Sequence, residues 1–120
     1  MLNLDTHIVV ALLSGELSTA ELDLITSESI AISDIVLWEL AKLVELQRLD
    51  FDLRDPQFLA FLRSTTIFPI TIEIARTSTQ LDFKSDPADQ IIAATSIVER
   101  VPLVTRDRRI FRSKLVPFPK

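Results

Sequence analysis

Short apolar runs alternate along the chain with longer segments in which apolar positions recur every three or four residues. The first kind is typical of buried strands and the second of amphipathic helices. Strands are predicted at residues 2–4, 30–33, 67–72 and 102–105, with a final edge strand at 115–118. Helices are predicted at residues 18–29, 34–49, 55–65 and 73–81, with another beginning at 86. Because Pro69 has no N–H to donate, the third strand is expected at an edge or on a bend.

Strands that alternate with helices favour a parallel sheet, because each parallel connection needs a crossover and a helix usually supplies it. The expected fold is α/β, a three-layer sandwich with a mainly parallel central sheet and helices on both faces. Residues 1–120 are about the length of one domain, so a single domain is expected. Ligands of such folds bind beyond the carboxyl ends of the strands. Asp5, Asp34 and Asp107 follow predicted strands, which puts acids at that edge.

Composition narrows the chemistry available to this fold. With 48% hydrophobic and 25% charged residues, the chain is predicted to fold rather than to be disordered. The absence of cysteine excludes thiolate nucleophiles, and the single glycine argues against a glycine-rich phosphate loop. The aliphatic run at 8–13 is too short to span a bilayer, and the first residues lack the basic segment of a secretory signal. No membrane partner and a cytoplasmic location are therefore expected.

Charge is distributed unevenly along the chain, whose formal net charge is −4. Residues 100–120 contain seven Lys or Arg and one acid, whereas residues 1–99 contain six bases and sixteen acids. Such a basic segment is able to bind phosphate locally, because fields are screened beyond roughly 8 to 10 Å at physiological salt. A solvated surface segment explains the same pattern equally well.

Several acids near the predicted strand ends have a structural explanation as helix caps. Asp86 and Asp89, with a proline between them, form a typical helix start, in which an acid caps and another faces the helix dipole. Asp5 is placed to cap the segment that follows it, and Asp107 to cap a short turn. Taken singly, each of these acids is explained by helix capping, without a catalytic or metal-binding role.

Glu39 does not fit that explanation, because it lies inside a predicted helix with Val36 and Leu43 on the same side. A carboxylate on an apolar face must be paired or neutralised, since burying an isolated charge is very costly. Lys42, three residues further on, is one candidate partner, in a surface salt bridge.

A shared cation site is the alternative explanation for Glu39 and for the paired aspartates. Its candidate ligands at the carboxyl edge are Asp5, Glu39, Asp89 and Asp107. Carboxylates crowded together repel one another, and a cation removes that repulsion. Mg²⁺ and Mn²⁺ prefer oxygen ligands and need only a few carboxylates. Asp86 caps the same helix as Asp89 and adds charge beside the site.

Four motifs lie in order along the chain, namely LDTH at 4–7, ISDIVLWELAKL at 32–43, DPADQIIAATS at 86–96 and PLVTRD at 102–107. Each motif is weak alone, but together they cover most of the chain at fitting spacings. With them the chain resembles a PIN domain of the VapC toxin type, the ribonuclease of a type II toxin–antitoxin system. Gln90 departs from that pattern, in which arginine is common, and the departure concerns an auxiliary contact rather than the metal site.

The resemblance implies a metal-dependent endoribonuclease that hydrolyses RNA with Mg²⁺, or with Mn²⁺ as its substitute. The implied metal ligands are the four acids above, and Asp86 is a further catalytic acid. Thr6 and Thr105 match hydroxyl positions beside the acids. Phosphate contacts to RNA are expected from Arg106, Arg108, Arg109 and Arg112. The implied protein partners are a cognate antitoxin and a second copy of the chain in a homodimer.

Two other function classes share this length and alternation. A phosphoacceptor signalling domain needs paired acids after the first strand and a lysine after a late strand, and neither is present at Asp5 or near 102–107. A catalytically silent interaction module, whose acids are only caps, remains open, and a divalent-ion titration separates it from the nuclease.

Overall fold

Four short strands form one parallel sheet in a computed structural model that describes all residues 1–120; six helices connect the strands and a seventh follows the last one. The strands are β1 (Leu2–Leu4), β2 (Ile30–Ser33), β3 (Thr66–Phe68) and β4 (Leu103–Val104). The helices are α1 (Thr6–Ser14), α2 (Thr19–Thr26), α3 (Ile35–Glu45), α4 (Pro56–Arg63), α5 (Ile72–Ser78), α6 (Pro87–Glu99) and α7 (Arg108–Phe111). The predicted three-layer α/β sandwich with a parallel central sheet is confirmed.

The strand order in the sheet is β3-β2-β1-β4, so the chain reverses its direction of travel across the sheet between β1 and β4. Leu4 is in register with Val104, and the N–H of Asp5 donates to the carbonyl of Val104 at 3.0 Å. The residues that follow these two strands therefore emerge side by side. A crevice beyond the carboxyl ends at such a reversal point is the usual ligand site of open α/β sheets.

The core lies on β1, β2 and β4, whose residues are all buried except the half-buried Ile30. Leu4, Ile32 and Leu103 have no exposed surface. This continuous burial is typical of parallel strands covered by other elements on both faces. Leu40 of α3 and Ile92 of α6 are also fully buried, and these two helices contact each other and β2. The same packing holds the residues that α3 and α6 carry toward the crevice.

The helix starts follow the capping signals in the sequence. Ser18 and Glu21 form a complete capping box at the start of α2. Asp55 caps α4 through the N–H of Gln57, and a proline occupies the first turn. Gly15 ends α1 in the left-handed conformation at φ 70°, where a residue without Cβ is favoured.

Three of the predicted strands differ from the structure. The fourth, predicted at 102–105, covers only Leu103–Val104. The third covers Thr66–Phe68 rather than 67–72, because Pro69 ends it and α5 begins at Ile72 with Thr71 as its cap. Its predicted edge position is correct. The strand predicted at 115–118 is wrong, since no strand forms there. Pro117 lies beside β4 and accepts one hydrogen bond from the N–H of Leu103 at 2.9 Å, but it has no N–H to continue a ladder.

No helix of this fold has both the length and the apolar content that crossing a bilayer requires.

Candidate active site

A cleft of about 340 Å³ opens where the polar segments after β1 and β4 meet the start of α6. Its lining contains no hydrophobic residue and consists of Asp5, His7, Asp86, Asp89, Arg106, Asp107 and Arg109. Four of the five predicted catalytic acids therefore face one space. A cleft with this lining suits a charged ligand rather than an apolar one.

Asp5 is the most enclosed acid of the cleft, with 3% of its surface exposed. It caps α1 as expected, because the N–H of Thr6 donates to Oδ1 at 2.8 Å. The hydroxyl of Thr105 donates to Oδ2 at 2.7 Å. Burial raises the pKa of Asp5 above its ordinary value, the Thr105 hydrogen bond opposes that shift, and the charge of Asp89 adds to it. The carboxylate is thus held in a position where its negative charge is costly.

Glu39 stands on α3 beside the cleft, and the hydroxyl of Thr6 donates to its Oε1. The expected alternative partner, Lys42, instead pairs with Glu45 at 3.0 Å. Burial raises the pKa of Glu39, and the charges of Asp89 and Asp5 raise it further against the Thr6 hydrogen bond. Glu39 thus has no cationic partner and lies within electrostatic reach of both aspartates.

The two aspartates of the DPAD motif have different surroundings. Asp89 is 9% exposed, and the hydroxyl of Ser85 donates to its Oδ2 at 2.9 Å. Asp86 occupies the N-cap position of α6, but its side chain accepts no capping hydrogen bond. The expectation that its carboxylate caps this helix is therefore wrong. The side chain of Asp86 is exposed toward the cleft instead.

Asp107 caps α7 and is the one acid of the cleft that carries an ion pair. The N–H of Arg109 donates to Oδ1 at 2.8 Å, and the guanidinium Nη2 lies 3.2 Å from Oδ2. Although burial acts in the opposite direction, the hydrogen bonds from the Arg109 side chain and backbone lower the pKa of Asp107. Asp107 is therefore stabilised as a carboxylate, whereas Asp5 and Glu39 are destabilised.

Thr105 connects two of these acids through one hydroxyl. Its Oγ1 accepts from the N–H of Asp107 at 3.1 Å, while its O–H donates to Asp5. Because the oxygen already accepts from the backbone, the proton is directed at the carboxylate. Each hydroxyl predicted from the sequence, that of Thr6 and that of Thr105, thus donates to one acid of the site.

The four arginines expected at RNA phosphates have different environments. Arg106 forms a two-point pair with Glu21, at 2.8 and 2.7 Å, and that pair lowers the pKa of Glu21 to about 2. Arg109 pairs with Asp107. Arg108 and Arg112 are exposed and make no hydrogen bond or ion pair through their side chains. Only these last two are immediately free for an external phosphate.

A family model for the PIN domain matches residues 3–114. The chain belongs to the PIN domain family. Members of this family are generally nucleases. None of the curated proteins that were compared matched the chain.

Solved structures share the fold of this PIN domain over nearly its full length. A toxin–antitoxin complex from Klebsiella pneumoniae has 24% identity and a TM-score of 0.72, with 93% of this chain and 91% of that chain covered. VapBC2 from Rickettsia felis, bound to a DNA fragment from its promoter, has 23% identity and a TM-score of 0.74, covering 99% and 98%. FitAcB from Neisseria gonorrhoeae has 20% identity and a TM-score of 0.72, covering 99% and 97%.

Three polar residues near the site of this PIN domain were not predicted from the sequence. His7 is exposed and lines the cleft, and its position two residues after Asp5 was an available signal. Ser85 is four residues before Asp89, in a segment without a motif. Asn3 is fully buried in β1 and donates to the Ile92 carbonyl at 3.2 Å and to Ser96 Oγ at 2.9 Å. A polar residue inside an apolar strand was its only signal.

The acids of the PIN domain are of the ligand type that a divalent cation prefers, but their side chains are not arranged around one ion position. Carboxylate oxygens in a polar cleft are the ligands that Mg²⁺ and Mn²⁺ prefer. Burial raises the pKa values of Asp5 and Glu39, and the charge of Asp89 adds to both shifts; a cation would relieve the part that comes from neighbouring charge. No three acidic or histidine side chains, however, lie close enough together in this structure to hold one ion. An ion held directly by three of these acids would therefore need at least one of their side chains to move within the cleft.

Proposed function

We propose that this PIN domain is a metal-dependent endoribonuclease that hydrolyses RNA phosphodiester bonds and acts as the toxin of a type II toxin–antitoxin pair in the cytoplasm. The observation that carries the proposal is the all-polar cleft at the β1/β4 reversal point, into which Asp5, Asp86, Asp89 and Asp107 face. The general nuclease activity of the PIN family supports the reaction class.

The proposed cofactor is Mg²⁺, with Mn²⁺ as a substitute, held by Asp5, Glu39, Asp89 and Asp107. When bound, such an ion supplies a Lewis acid that activates water and stabilises negative charge on phosphate oxygens. The oxygen-rich donor set and the absence of a cationic partner for Glu39 favour this role. The buried positions of Asp5 and Asp89 restrict their rotamers and so preserve their orientation.

The remaining residues of the site have proposed roles that follow from their contacts. Thr6 and Thr105 fix the orientation of Glu39 and Asp5 by donating hydroxyl protons to them. Asp86 is exposed to the cleft without a side-chain capping bond, so its carboxylate is available to accept a proton from water. Arg108 and Arg112 are available to contact RNA phosphates.

The proposed protein partners are a cognate antitoxin and a second copy of the chain. The name of the Klebsiella structure, which describes a toxin–antitoxin complex, supports an antitoxin. Trp38 and Ile72 have 55% and 82% of their surface exposed. Single exposed apolar side chains are ordinary on a protein surface, so these two residues do not by themselves indicate either partner.

The test is digestion of a mixed RNA pool by purified protein with Mn²⁺ or Mg²⁺, with EDTA as the metal-free control. Asp89→Asn is expected to abolish cleavage, because it removes a buried charge of the site while keeping its shape. Asp50→Asn is the matched control, since Asp50 is exposed outside the cleft and is expected to leave cleavage unchanged. Cleavage that survives both EDTA and Asp89→Asn would contradict the proposal.

A catalytically silent interaction module is the second candidate, because Asp5 and Asp107 do cap α1 and α7. Under that hypothesis the wild-type protein cleaves no RNA, and Mn²⁺ leaves its melting temperature unchanged. Under the nuclease hypothesis Mn²⁺ raises the melting temperature, since a ligand that binds only the folded state stabilises it. A thermal titration with Mn²⁺ therefore separates the two candidates before any substrate is known.

A further inference from the structure

Arg109 places a permanent cation among the acids of the cleft. Its guanidinium Nη2 lies 3.2 Å from Asp107 Oδ2, and Nε donates to Oδ1 of the same carboxylate at 3.4 Å. Nη2 also donates to the hydroxyl oxygen of Ser85 at 3.3 Å, and that hydroxyl donates in turn to Asp89 Oδ2 at 2.9 Å. One guanidinium is thus connected directly to one proposed metal ligand and through Ser85 to a second.

The position of Arg109 follows from the short helix that carries it. Arg109 is two residues after Asp107, in the first turn of α7, and its backbone N–H donates to the same carboxylate. The charges of Asp86 and Asp89 also act favourably on the guanidinium. Because an arginine side chain stays charged at every working pH, this cation is always present in the cleft.

No other arginine of the basic segment has this arrangement. The guanidinium of Arg106 also lines the cleft, but Glu21 on α2 binds it from outside the acidic cluster. Arg108, the neighbour of Arg109 on α7, does not line the cleft. The interaction with the acids is therefore specific to one position rather than a general property of a basic surface.

We propose that Arg109 is a built-in counter-cation of the cleft, which occupies Asp107 in the metal-free protein and must release it before a divalent ion binds. This inference rests on the proposed metal dependence and adds a step that regulates it. A guanidinium bound to both oxygens of Asp107 leaves that carboxylate poorly available to a second cation, and two cations at one carboxylate repel each other. Arg109 thus raises the ion concentration at which the site fills.

The size of the competition is limited by solvent. The side chain of Arg109 is 60% exposed and that of Asp107 is 22% exposed. Exposed ion pairs are weak, so the competition is expected to change the affinity for a divalent ion by about twofold to fivefold.

The experiment measures Mn²⁺ binding to the full chain by isothermal titration calorimetry. Arg109→Met keeps the length of the side chain and removes its charge, and it is expected to bind Mn²⁺ about twofold to fivefold more tightly than the wild type. Arg108→Met removes the same charge one residue away on the same helix, and it is expected to match the wild type. The comparison separates the Asp107 contact from a general change in net charge. Equal Mn²⁺ affinities of Arg109→Met and Arg108→Met would overturn the inference.

A second comparison tests whether the effect passes through Asp107. In an Asp107→Asn background, Arg109→Met is expected to add no further affinity, because the competed carboxylate is gone. An undiminished gain in that background would overturn the inference. Arg109→Lys retains the charge without the two-point contact to Asp107. A Mn²⁺ affinity of this variant between those of the wild type and Arg109→Met supports the inference.

The same titrations distinguish this inference from the proposed function. If the wild type binds Mn²⁺ and Arg109→Met binds it equally well, the counter-cation role is rejected and the metal-dependent nuclease stands. If no variant binds Mn²⁺ while circular dichroism shows each to be folded, the metal dependence is rejected and the counter-cation role with it.

Discussion

Replacing Thr105 by valine tests the central hydrogen bond of the site. The two side chains have nearly the same shape, so the substitution removes a hydroxyl and adds no cavity. In the wild type that hydroxyl donates to the buried Asp5 at 2.7 Å and accepts from the N–H of Asp107 at 3.1 Å. Thr105→Val leaves Asp5 with the Thr6 N–H as its remaining hydrogen-bond donor.

The expected loss in the free energy of unfolding follows from the charge and burial of Asp5, which accepts this hydrogen bond. A hydrogen bond to a charged group contributes about 1.5 to 3 kcal/mol, and the N–H of Asp107 loses its partner as well, so we expect a loss of about 2 to 3 kcal/mol at neutral pH. An unfolding entropy near 2.1 cal/mol/K per residue converts this to a melting temperature lower by roughly 8 to 12 °C. The pKa of Asp5 is expected to rise further, because the Thr105 hydrogen bond opposes its upward shift.

The assay is thermal unfolding followed by circular dichroism in EDTA, with chemical denaturation for the free energy. Thr95→Val is the matched control, because Thr95 is also buried and its hydroxyl donates to the neutral carbonyl of Ile91 at 2.8 Å. It is expected to cost no more than about 1 kcal/mol. If the two variants lost the same stability, the reasoning that the charge of Asp5 depends on Thr105 would be refuted.

Three further predictions concern residues that position the site. Glu21→Gln is expected to lose no more than about 1 kcal/mol at neutral pH, since Arg106 is half exposed. Because the pKa of Glu21 is lowered from 4.5 to about 2, the stability that its carboxylate contributes is fully present above pH 4.5 and disappears as the pH falls through about 2. A difference in stability between wild type and variant that stayed constant during acid denaturation would contradict this. Asn3→Ala is expected to cost about 2 to 4 kcal/mol in urea unfolding, because a fully buried residue loses bonds to Ile92 and Ser96, and a cost below 1 kcal/mol would contradict that role. Gly15→Ala is expected to cost about 1 kcal/mol from backbone strain alone, since nothing lies within 4 Å of an added Cβ, and an unchanged melting temperature would contradict it.

Hydrophobic patterns and capping residues in the sequence were sufficient to predict most of the helices and strands. The alternation of short apolar runs with helical segments predicted the parallel sheet, because burial of strands and amphipathicity of helices are properties of neighbouring residues. The helix caps Ser18 and Asp55 can also be recognised from the sequence, since a cap and the backbone N–H that donates to it lie within three residues. The strand predicted at 115–118 was wrong, because an apolar run does not specify a pairing partner and Pro117 is unable to extend one.

Hydrogen bonds and ion pairs between residues distant in sequence could not be predicted from local patterns. Lys42 was the nearest candidate for Glu39 along the helix, yet Thr6, 33 residues away, provides the hydrogen bond. From the sequence, the four arginines formed one basic group with one expected role. In the structure Arg106 pairs with Glu21, Arg109 pairs with Asp107, and the other two form no ion pair. Contacts of this kind depend on which elements pack together rather than on the residues beside them.

The sequence alone determined that this is a parallel α/β chain with the motifs of a PIN domain and acids after its strands. Only the tertiary structure decided that these acids share a cleft. The register of β1 with β4 pairs Leu4 with Val104, and it thereby joins Asp5 to Thr105 across 100 residues of sequence. Hydrogen bonds between strands establish that register, and no local pattern encodes the distance or the orientation that results.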